Sequence, residues 1–404
     1  MVTSRRTQFA RLNRTRPLSL TELRLYSRAA RAVLAAVVWM ISAGCTAAFA
    51  TTSTTTQTSG AARVFSQSAY HIESQPYQRV QCTLTDSFTL PGLQAQEWTI
   101  YGPDAPDTDD QSNVFSTLDV TNHRCHVATW SELSPLGRTL LHASLVDDST
   151  ANCAELDTEA TFTATLYRRI LVPGPAPTPI SPLSEDSRRL YTRNSETIDF
   201  DNRAFQTWLS ATHLRREPGE LDLDFGLRVF QYIRANYSYS YDIAQDRRAS
   251  AICQVTASDC GGLSQLFVAA MRASGVPALA LCGRLATSAA DSDDHGNCHV
   301  KSEFFASGIG WVPVEISGAT CDKLAPYSVY FGRMYGDFVT LSIDNDQELV
   351  AANNGVQNQR GLQGIRFFVT GTGDGSQTMT STTSWSVRPL PLTTSGSQFA
   401  DSRE

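Results

Sequence analysis

The chain has 404 residues, 41% of them hydrophobic and 18% charged, which is enough for two domains with their own cores and excludes a wholly disordered protein. The formal net charge is −7, and the arginine-rich start of the chain leaves about −14 on residues 51–404. This acidic balance argues against a nucleic acid or an anionic membrane as the partner of that part of the chain.

Residues 1–50 have the pattern of an export segment. Eight arginines stand among residues 1–31 against one acid, and an uncharged run follows from Ala32 to Ala50. Three interpretations stay open: a signal peptide cleaved after Ala50, a lipoprotein with its lipid on Cys45, and an uncleaved anchor, because 19 uncharged residues can span a bilayer. All three predict an exported protein, in the periplasm, on the cell surface or outside the cell, that meets a membrane only through this segment.

The next part of the chain has the texture of a β domain. Residues 51–63 are rich in Ser and Thr, which is typical of a flexible spacer. From 64 to 172, short β-rich runs are separated by Asp, Asn, Gly and Pro turns, and this pattern predicts a small β-sandwich. Residues 173–185 contain five prolines, so we expect an extended linker there, with a second domain over 186–391.

The second domain begins with helical periodicity. Apolar residues recur at 3.6-residue spacing at Leu223, Leu227, Phe230, Ile233 and Tyr237. Core packing explains this stripe better than a cofactor site does. The aromatic run that continues through Tyr239 and Tyr241 predicts a strand packed on the core, and the alternative is that these rings line a groove.

The stretch 258–277 predicts a short buried helix. Asp259 can cap its start, and Gly275 followed by Val276-Pro277 can end it. Cys260 then lies in the first turn, where unpaired backbone N–H groups and the helix dipole favour the thiolate. Gly261 and Gly262 would leave room for a substrate backbone beside the sulfur. The alternative is that Cys260 is a small buried residue or half of a disulfide, for example with Cys253.

A predicted hairpin brings a histidine and an acid together. Two β-rich runs, 297–305 and 311–316, flank a Ser-Gly turn. With the turn centred on Ser307, His299 lies directly opposite Glu315, and opposed residues of an antiparallel pair share a face. Cys260 beside this pair would complete a set of nucleophile, base and orienting acid.

The Cys260 helix, the His299 strand and the run Gly310-Trp311-Val312-Pro313-Val314-Glu315 together resemble the core of the transglutaminase-like superfamily, over roughly residues 186–345. The resemblance implies an α+β, papain-like fold with the nucleophile helix packed on an antiparallel sheet. It also implies Cys260 as the nucleophile, His299 as its base and Glu315 as the acid that orients the imidazole. The preceding β domain is similar to the arrangement in bacterial exported members. The family usually has aspartate where this chain has Glu315.

No cofactor is expected. Acids at 291–295 and 344–348 leave calcium as an alternative, although their positions do not fit the twelve-residue calcium loop. His295 lies in the first of these loops, so His299 is preferred as the base. The spacing of Gln254 before Cys260 is similar to that of a papain-like oxyanion donor, but the donors we expect are the Cys260 backbone N–H and a side chain that the sequence does not identify.

Nine cysteines are present, and an exported protein is expected to form several disulfides. The groups within which pairs are expected are Cys82, Cys125 and Cys153, and Cys253, Cys282, Cys298 and Cys321. Two C-terminal β runs, 364–370 and 379–387, are expected to extend the catalytic sheet or to wall its groove. Residues 392–404 are expected to be a disordered tail.

The sequence therefore predicts an exported thiol enzyme. Its thiolate would attack a peptide or side-chain amide of a protein or peptide substrate to form a thioester, which an amine or water then resolves. The alternative is a catalytically silent extracellular module that binds or assembles through the same fold. The sequence does not distinguish the two acceptors, and it does not determine the oligomeric state.

Overall fold

The computed structural model describes residues 69–121, 126–133, 137–146, 154–287, 297–351, 355–359, 361–373 and 379–392, and these described residues belong to one compact unit. The predicted export segment, spacer and tail lie outside the described residues, as do Cys45, Cys125, Cys153, His295 and the acidic loop at 291–295. What the sequence predicts for them stays a prediction. Within the described ranges, no helix is both long and apolar enough to cross a membrane.

The described residues form an α+β fold. Their helices are α1 Glu185–Thr192, α2 Arg203–Ala211, α3 Asp222–Asn236, α4 Ala249–Ile252, α5 Cys260–Ala273 and α6 Ile316–Cys321. Their strands are β1 Tyr70–Thr89, β2 Leu93–Pro103, β3 Gln111–Thr121, β4 His126–Leu133, β5 Thr139–Val146, β6 Glu155–Pro173, β7 Ser238–Tyr239, β8 Ala257–Ser258, β9 Ala278–Leu285, β10 Cys298–Ala306, β11 Gly310–Val314, β12 Arg333–Tyr335, β13 Phe338–Ile343, β14 Gln347–Ala351, β15 Gly355–Gln359, β16 Arg366–Gly373 and β17 Thr380–Leu390. The predicted fold class is confirmed.

Helix α5 is the centre of the fold because it is buried on every side. The apolar residues that predicted it are all fully buried: Leu263, Leu266, Phe267, Ala270 and Met271. Asp259 caps its start by accepting a hydrogen bond from the Gly262 N–H at 3.0 Å. Gly275, at φ +74°, follows its end. Both ends of the predicted helix are confirmed.

The helix packs against a four-stranded antiparallel sheet with the strand order β11-β10-β9-β13. Cys282 of β9 and Val300 and Phe304 of β10 belong to the same apolar core as α5. Helix α3 contributes Phe230 and Ile233 to that core, as its apolar stripe predicts. A helix that begins at Cys260 and packs on an antiparallel sheet is the arrangement that the sequence predicted.

Two further antiparallel sheets share a second core. One has the order β12-β6-β1-β17, with β3 also paired to β6, and the other has the order β16-β2-β5-β4. Residues such as Val80 of β1, Trp98 of β2 and Phe162 of β6 meet in this core and are fully buried. These are the strands in which a β-sandwich over 64–172 was predicted. That they form a separate sandwich domain stays a prediction.

Of the two alternatives for the last two strands, extension of the sheet that carries His299 was wrong, whereas residues of both strands line the cavity at Cys260. Strand β16 pairs with β2, and β17 pairs with β1, where Leu84 lies opposite Trp385. The reason is that β1 is 20 residues long and β6 covers only one of its edges, so β17 covers the other. Trp385 is buried, and its indole N–H donates to the Leu285 carbonyl of β9 at 3.0 Å. Strand β17 therefore connects this sheet to the catalytic sheet.

The register of the predicted hairpin was also wrong by a small amount. Strands β10 and β11 pair Ser302 with Val314 and Ala306 with Gly310, which centres the turn on Gly308 rather than Ser307. Gly308 and Gly310 both have positive φ, at 76° and 98°, and so permit this turn. Glu315 therefore follows β11 and caps α6, instead of lying in a strand opposite His299.

A buried arginine links the second core to the catalytic sheet. Arg169 of β6 donates to Asp110 at 2.6 Å, to the Trp311 carbonyl of β11 at 2.6 Å, and to Glu303 of β10. Arg169, Asp110 and Glu303 are each 2% exposed. Because unpaired buried charges are costly, this cluster holds β6 and β10 in one relative position.

Candidate active site

Cys260 is the first residue of α5 and is partly accessible. Its position in the first turn places the sulfur near the positive end of a 14-residue helix, as the sequence predicted. Asp259, which caps the helix, is itself neutralised by Arg247, whose Nε donates to its carboxylate at 2.7 Å. The cap therefore does not present an unpaired negative charge to the thiol.

His299 and Glu315 meet although the register differs from the predicted one. His299 Nε2 lies 2.8 Å from Glu315 Oε2. A two-residue change of partner keeps the two side chains on one face of the hairpin, because side chains alternate with a period of two. The extra methylene of glutamate and its position at the start of α6 let the carboxylate reach back to the imidazole.

Glu315 is held from several directions. Its other oxygen, Oε1, accepts from the Ser317 hydroxyl at 2.7 Å and from the Gly318 N–H at 3.2 Å. The ammonium group of Lys301 lies 4.0 Å from Oε2. A carboxylate with this many donors stays ionised and cannot rotate freely. These contacts hold the carboxylate of Glu315 in one orientation, although its side chain is one methylene longer than an aspartate.

The electrostatics of the pair favour an imidazolium beside a carboxylate. Burial lowers the pKa of His299, but the charge of Glu315 and hydrogen bonds to Cys260 and to Glu315 raise it further, to about 10. Burial raises the pKa of Glu315, but His299, Lys301 and Ser317 lower it to about 2. Because Glu315 engages Nε2, Nδ1 is the nitrogen left for the hydrogen bond to the Cys260 thiol. The structure thus brings together all three residues that the sequence singled out.

Cys260 opens into a cavity of ≈ 380 Å³. One wall contains Tyr239, Tyr241 and Ile243, which are 42%, 51% and 42% exposed. Other lining residues come from strands of the two further sheets and from the segment before β16; they include Asp86, Phe88, Gln363, Arg366, Ser381 and Thr383. The cavity is large enough for one or two side chains of a peptide, and its walls combine aromatic with polar groups.

The tyrosine run was interpreted wrongly in part. Tyr237 is buried in the core, as the favoured interpretation required. Tyr239 and Tyr241 instead line the cavity, which was the alternative. The reason is that β7 is only two residues long, so the chain leaves the core directly after Tyr237. A strand of two residues is too short for the alternation of side chains to predict which of its residues face the core.

Gln254, whose spacing is similar to that of a papain-like donor but which was not the expected donor, donates to the Ser250 carbonyl at 2.7 Å and does not line the cavity. One expectation for the two glycines is corrected by geometry. A side chain at Gly262 would meet the Ser258 hydroxyl at 2.1 Å, so this glycine permits packing rather than substrate approach. Gly261 does line the cavity, where the nearest atom to an added Cβ would be Arg247 Cδ at 3.4 Å.

The expected disulfides among the second group of cysteines are not formed. Among the described cysteines, none of Cys82, Cys253, Cys260, Cys282, Cys298 and Cys321 forms a disulfide. Cys282 donates to Asn345 Oδ1 at 2.5 Å inside the core, and Cys253 donates to the Ser250 carbonyl at 3.2 Å. The alternative of a Cys253–Cys260 disulfide is therefore also excluded. A pair formed by Cys125 and Cys153 lies outside the described residues.

The acids at 344–348 have cationic partners. Asp344 accepts from Arg272 at 2.8 Å, and Asp346 accepts from Arg193 at 3.0 Å. In the ranges that the structure describes, no three His, Cys, Asp or Glu side chains cluster as a metal site would require. Calcium binding through the loop at 291–295 stays a prediction, because that loop is outside those ranges.

Comparison with known proteins assigns the region of the site to a family. Residues 212–316 match the family model of the transglutaminase-like superfamily. No curated protein is similar enough in sequence to count as a relative.

Three solved structures resemble the chain in fold. A candidate cysteine protease from Cytophaga hutchinsonii is 14% identical with a TM-score of 0.49, and the likeness covers 81% of this chain and 96% of that one. The periplasmic domain of TgpA from Pseudomonas aeruginosa, bound to ethylmercury, is 11% identical with a TM-score of 0.30, covering 61% and 91%. A candidate protease from Parabacteroides distasonis is 9% identical with a TM-score of 0.22, covering 66% and 64%. At identities this low, the three likenesses say nothing about activity or location.

The family match spans the helix that begins at Cys260, the strand that carries His299, and Glu315 itself. Residues 212–316 are therefore the transglutaminase-like core of this chain.

Proposed function

We propose that this protein is a thiol enzyme of the transglutaminase-like class that attacks an amide of a protein or peptide. The observation that carries the proposal is that three residues are neighbours at the start of one buried helix. Cys260 stands at that start and raises the pKa of His299, and His299 Nε2 lies 2.8 Å from Glu315 Oε2. Nucleophile, base and orienting acid in hydrogen-bond sequence are the arrangement of thiol-dependent acyl transfer.

In this mechanism the Cys260 thiolate attacks the amide carbonyl carbon and forms a C–S bond. The carbonyl oxygen takes the electron pair as a tetrahedral oxyanion. When the C–N bond breaks, the His299 imidazolium gives its proton to the leaving amine, and a thioester remains on Cys260. Water or a second amine then gives its proton to His299 and attacks the thioester, which restores the thiolate. Glu315 keeps the ring oriented and stabilises its charge throughout.

The acceptor of the second step stays open. Transfer to an amine and hydrolysis share every step up to the thioester, and only the exclusion of water separates them. We therefore propose an acyltransferase, peptidase or amidase, without cofactor, and leave the choice to experiment.

We also propose that the enzyme is exported. The support is the arginine-rich start of the chain followed by the uncharged run from Ala32 to Ala50. Whether that segment is cleaved, lipidated on Cys45 or retained as an anchor is open in this proposal. An export assay that compares the full chain with a variant lacking residues 1–50 tests it, and retention of the full chain in the cytoplasm would contradict it.

The proposed activity is tested by iodoacetamide labelling of the full chain between pH 4 and 9, with peptide mapping to separate the thiols. We expect Cys260 to label fast below pH 8.5, the ordinary thiol pKa. We expect His299→Ala to slow this labelling by at least about tenfold at pH 6, because the imidazolium no longer stabilises the thiolate. Cys321 is the internal reference for an accessible thiol that is not activated. Partial burial and the charges of Glu315 and Asp322 raise its pKa, so it should label slowly at neutral pH.

The same experiment tests the alternative function. If Cys260 labels no faster than Cys321 and His299→Ala changes nothing, the chain is a silent binding module with a transglutaminase-like core. Fast labelling that depends on His299 supports the enzyme and makes substrate screening worthwhile.

A further inference from the structure

The attack on an amide creates a negative oxygen that needs hydrogen-bond donors. Enzymes of this type place donors at the position of the oxyanion, and removing one donor typically slows the reaction by about 10²–10³-fold. The Cys260 backbone N–H, at the free start of α5, is one donor available at this point. Gln254, the side chain whose spacing suggested a second, donates to the Ser250 carbonyl and does not line the cavity. The proposed reaction therefore lacks an identified side-chain donor.

The short β7–β8 strand pair holds Tyr239 near Cys260. Tyr239 of β7 is the register partner of Ser258 of β8, two residues before Cys260. The pair is fixed by backbone hydrogen bonds on both sides, from the Ser238 N–H to the Thr256 carbonyl and from the Ser240 N–H to the Ser258 carbonyl, each at 2.9 Å. The backbone of Tyr239 is thus held at a constant distance from the nucleophile, and its side chain lines the same cavity as Cys260.

The hydroxyl of Tyr239 is available as a donor. Among the described residues it makes no hydrogen bond, and Tyr239 is 42% exposed and lines the cavity. Partial burial of the side chain and the charges of Cys260 and Asp259 raise the pKa of the Tyr239 phenol. The phenol therefore keeps its proton at the pH at which a thiolate acts. A protonated phenol without a partner, beside a nucleophile, is suited to donate to an anion that appears only during the reaction.

We propose that Tyr239 is a catalytic residue that donates its phenolic hydrogen bond to the oxyanion formed when Cys260 attacks the substrate carbonyl. No proton is transferred: the phenol keeps its hydrogen, and the oxyanion accepts a hydrogen bond from it and another from the Cys260 N–H. When the C–N bond breaks, the carbonyl is restored and the hydrogen bond weakens. The inference rests on the proposed function, since it concerns the same thioester-forming step.

The test compares two reactions of the same sulfur in the full chain. Acylation by p-nitrophenyl acetate passes through a tetrahedral oxyanion, whereas alkylation by iodoacetamide displaces iodide at a saturated carbon and forms none. Tyr239→Phe removes only the hydroxyl. We expect it to slow the acylation burst by about 100-fold while alkylation of Cys260 stays within about twofold of wild type. Tyr327→Phe, an exposed tyrosine away from the cavity, is the matched control and should change neither rate.

The outcomes separate this inference from the proposed function. Unchanged acylation in Tyr239→Phe overturns the inference and leaves the enzyme standing. An equal fall in acylation and alkylation also overturns it, because the tyrosine then acts on the thiolate or on the fold. If wild type alkylates at Cys260 but gives no acylation burst, the proposed function falls and this inference falls with it.

Discussion

Replacing Glu315 by glutamine should destabilise the protein in a way that depends on pH. Glutamine has the same shape and keeps an oxygen for the Ser317 hydroxyl and the Gly318 N–H, so the change removes mainly the charge that faces His299. The pair is suited to the test because the side chains of His299 and Glu315 are only 21% and 13% exposed. Solvent therefore screens their interaction only in part.

The size of the effect follows from the pKa values. For His299 the difference between about 10 and the ordinary 6.5 corresponds to about 5 kcal/mol, and for Glu315 the difference between 4.5 and about 2 corresponds to about 3 kcal/mol. Both values describe the same pair and are not added. The histidine value also contains the hydrogen bond to Cys260, so we take about 3 kcal/mol for the pair itself.

The sign is set by which state binds the proton more tightly. Because the pKa of His299 is higher in the folded state, the stabilisation is present in full below pH 6.5 and is lost as the pH rises through about 10. The difference between wild type and Glu315→Gln should therefore be about 3 kcal/mol at pH 6 and shrink by up to about 1.4 kcal/mol per pH unit above pH 6.5. It should be close to zero at pH 10.

The assay is urea unfolding of both proteins at intervals from pH 6 to 10. Glu220→Gln is the control, since Glu220 pairs with Arg228 at 2.7 Å and arginine does not titrate in this range. The decrease in the free energy of unfolding caused by Glu220→Gln should therefore be the same at every pH from 6 to 10. A loss for Glu315→Gln that is equally constant would refute the reasoning, because it would show that packing, rather than the charge of the imidazolium, supplies the stability.

Three further predictions follow from the same contacts. In a turnover assay, Glu315→Ala should lower the rate less than His299→Ala, because the base itself remains; equal losses would contradict that ranking. Gly262→Ala should lower the free energy of unfolding by about 1–3 kcal/mol through its clash with the Ser258 hydroxyl, whereas Gly261→Ala, with room for a Cβ, should not, and thermal unfolding of both decides the point. Arg169→Met should lower the free energy of unfolding by about 3–5 kcal/mol at pH 8, because buried carboxylates lose their cation. At pH 5 that loss should be smaller, since burial raises the pKa of one of those acids, and a loss independent of pH would refute the explanation.

Local patterns in the sequence were sufficient for the central helix and its chemistry. The apolar spacing from Leu263 to Met271, the cap at Asp259 and the stop at Gly275 all depend on neighbouring residues, so a helix with Cys260 at its start could be predicted. The hairpin was predicted for the same reason. His299 and Glu315 were found because a register error of two residues leaves both on one face.

Contacts between distant parts of the chain could not be predicted in this way. The pairing of β17 with β1 joins residues about 300 positions apart, and no local signal distinguishes it from an extension of the catalytic sheet. The same holds for the buried arginine link through Arg169, and for the free state of the cysteines, which depends on where the core places each thiol.

The sequence by itself was sufficient to single out Cys260, His299 and Glu315 as the proposed nucleophile, base and acid, because each belongs to a helix, strand or turn whose residues are adjacent in the chain. Only the tertiary structure decided what surrounds them. It showed that Glu315 caps a helix while holding His299, and it decided between alternatives that the sequence had left open, since residues of the C-terminal strands and Tyr239 line the cavity at Cys260. These features depend on packing and strand order, which are set by the burial of the whole chain and not by any one stretch of it.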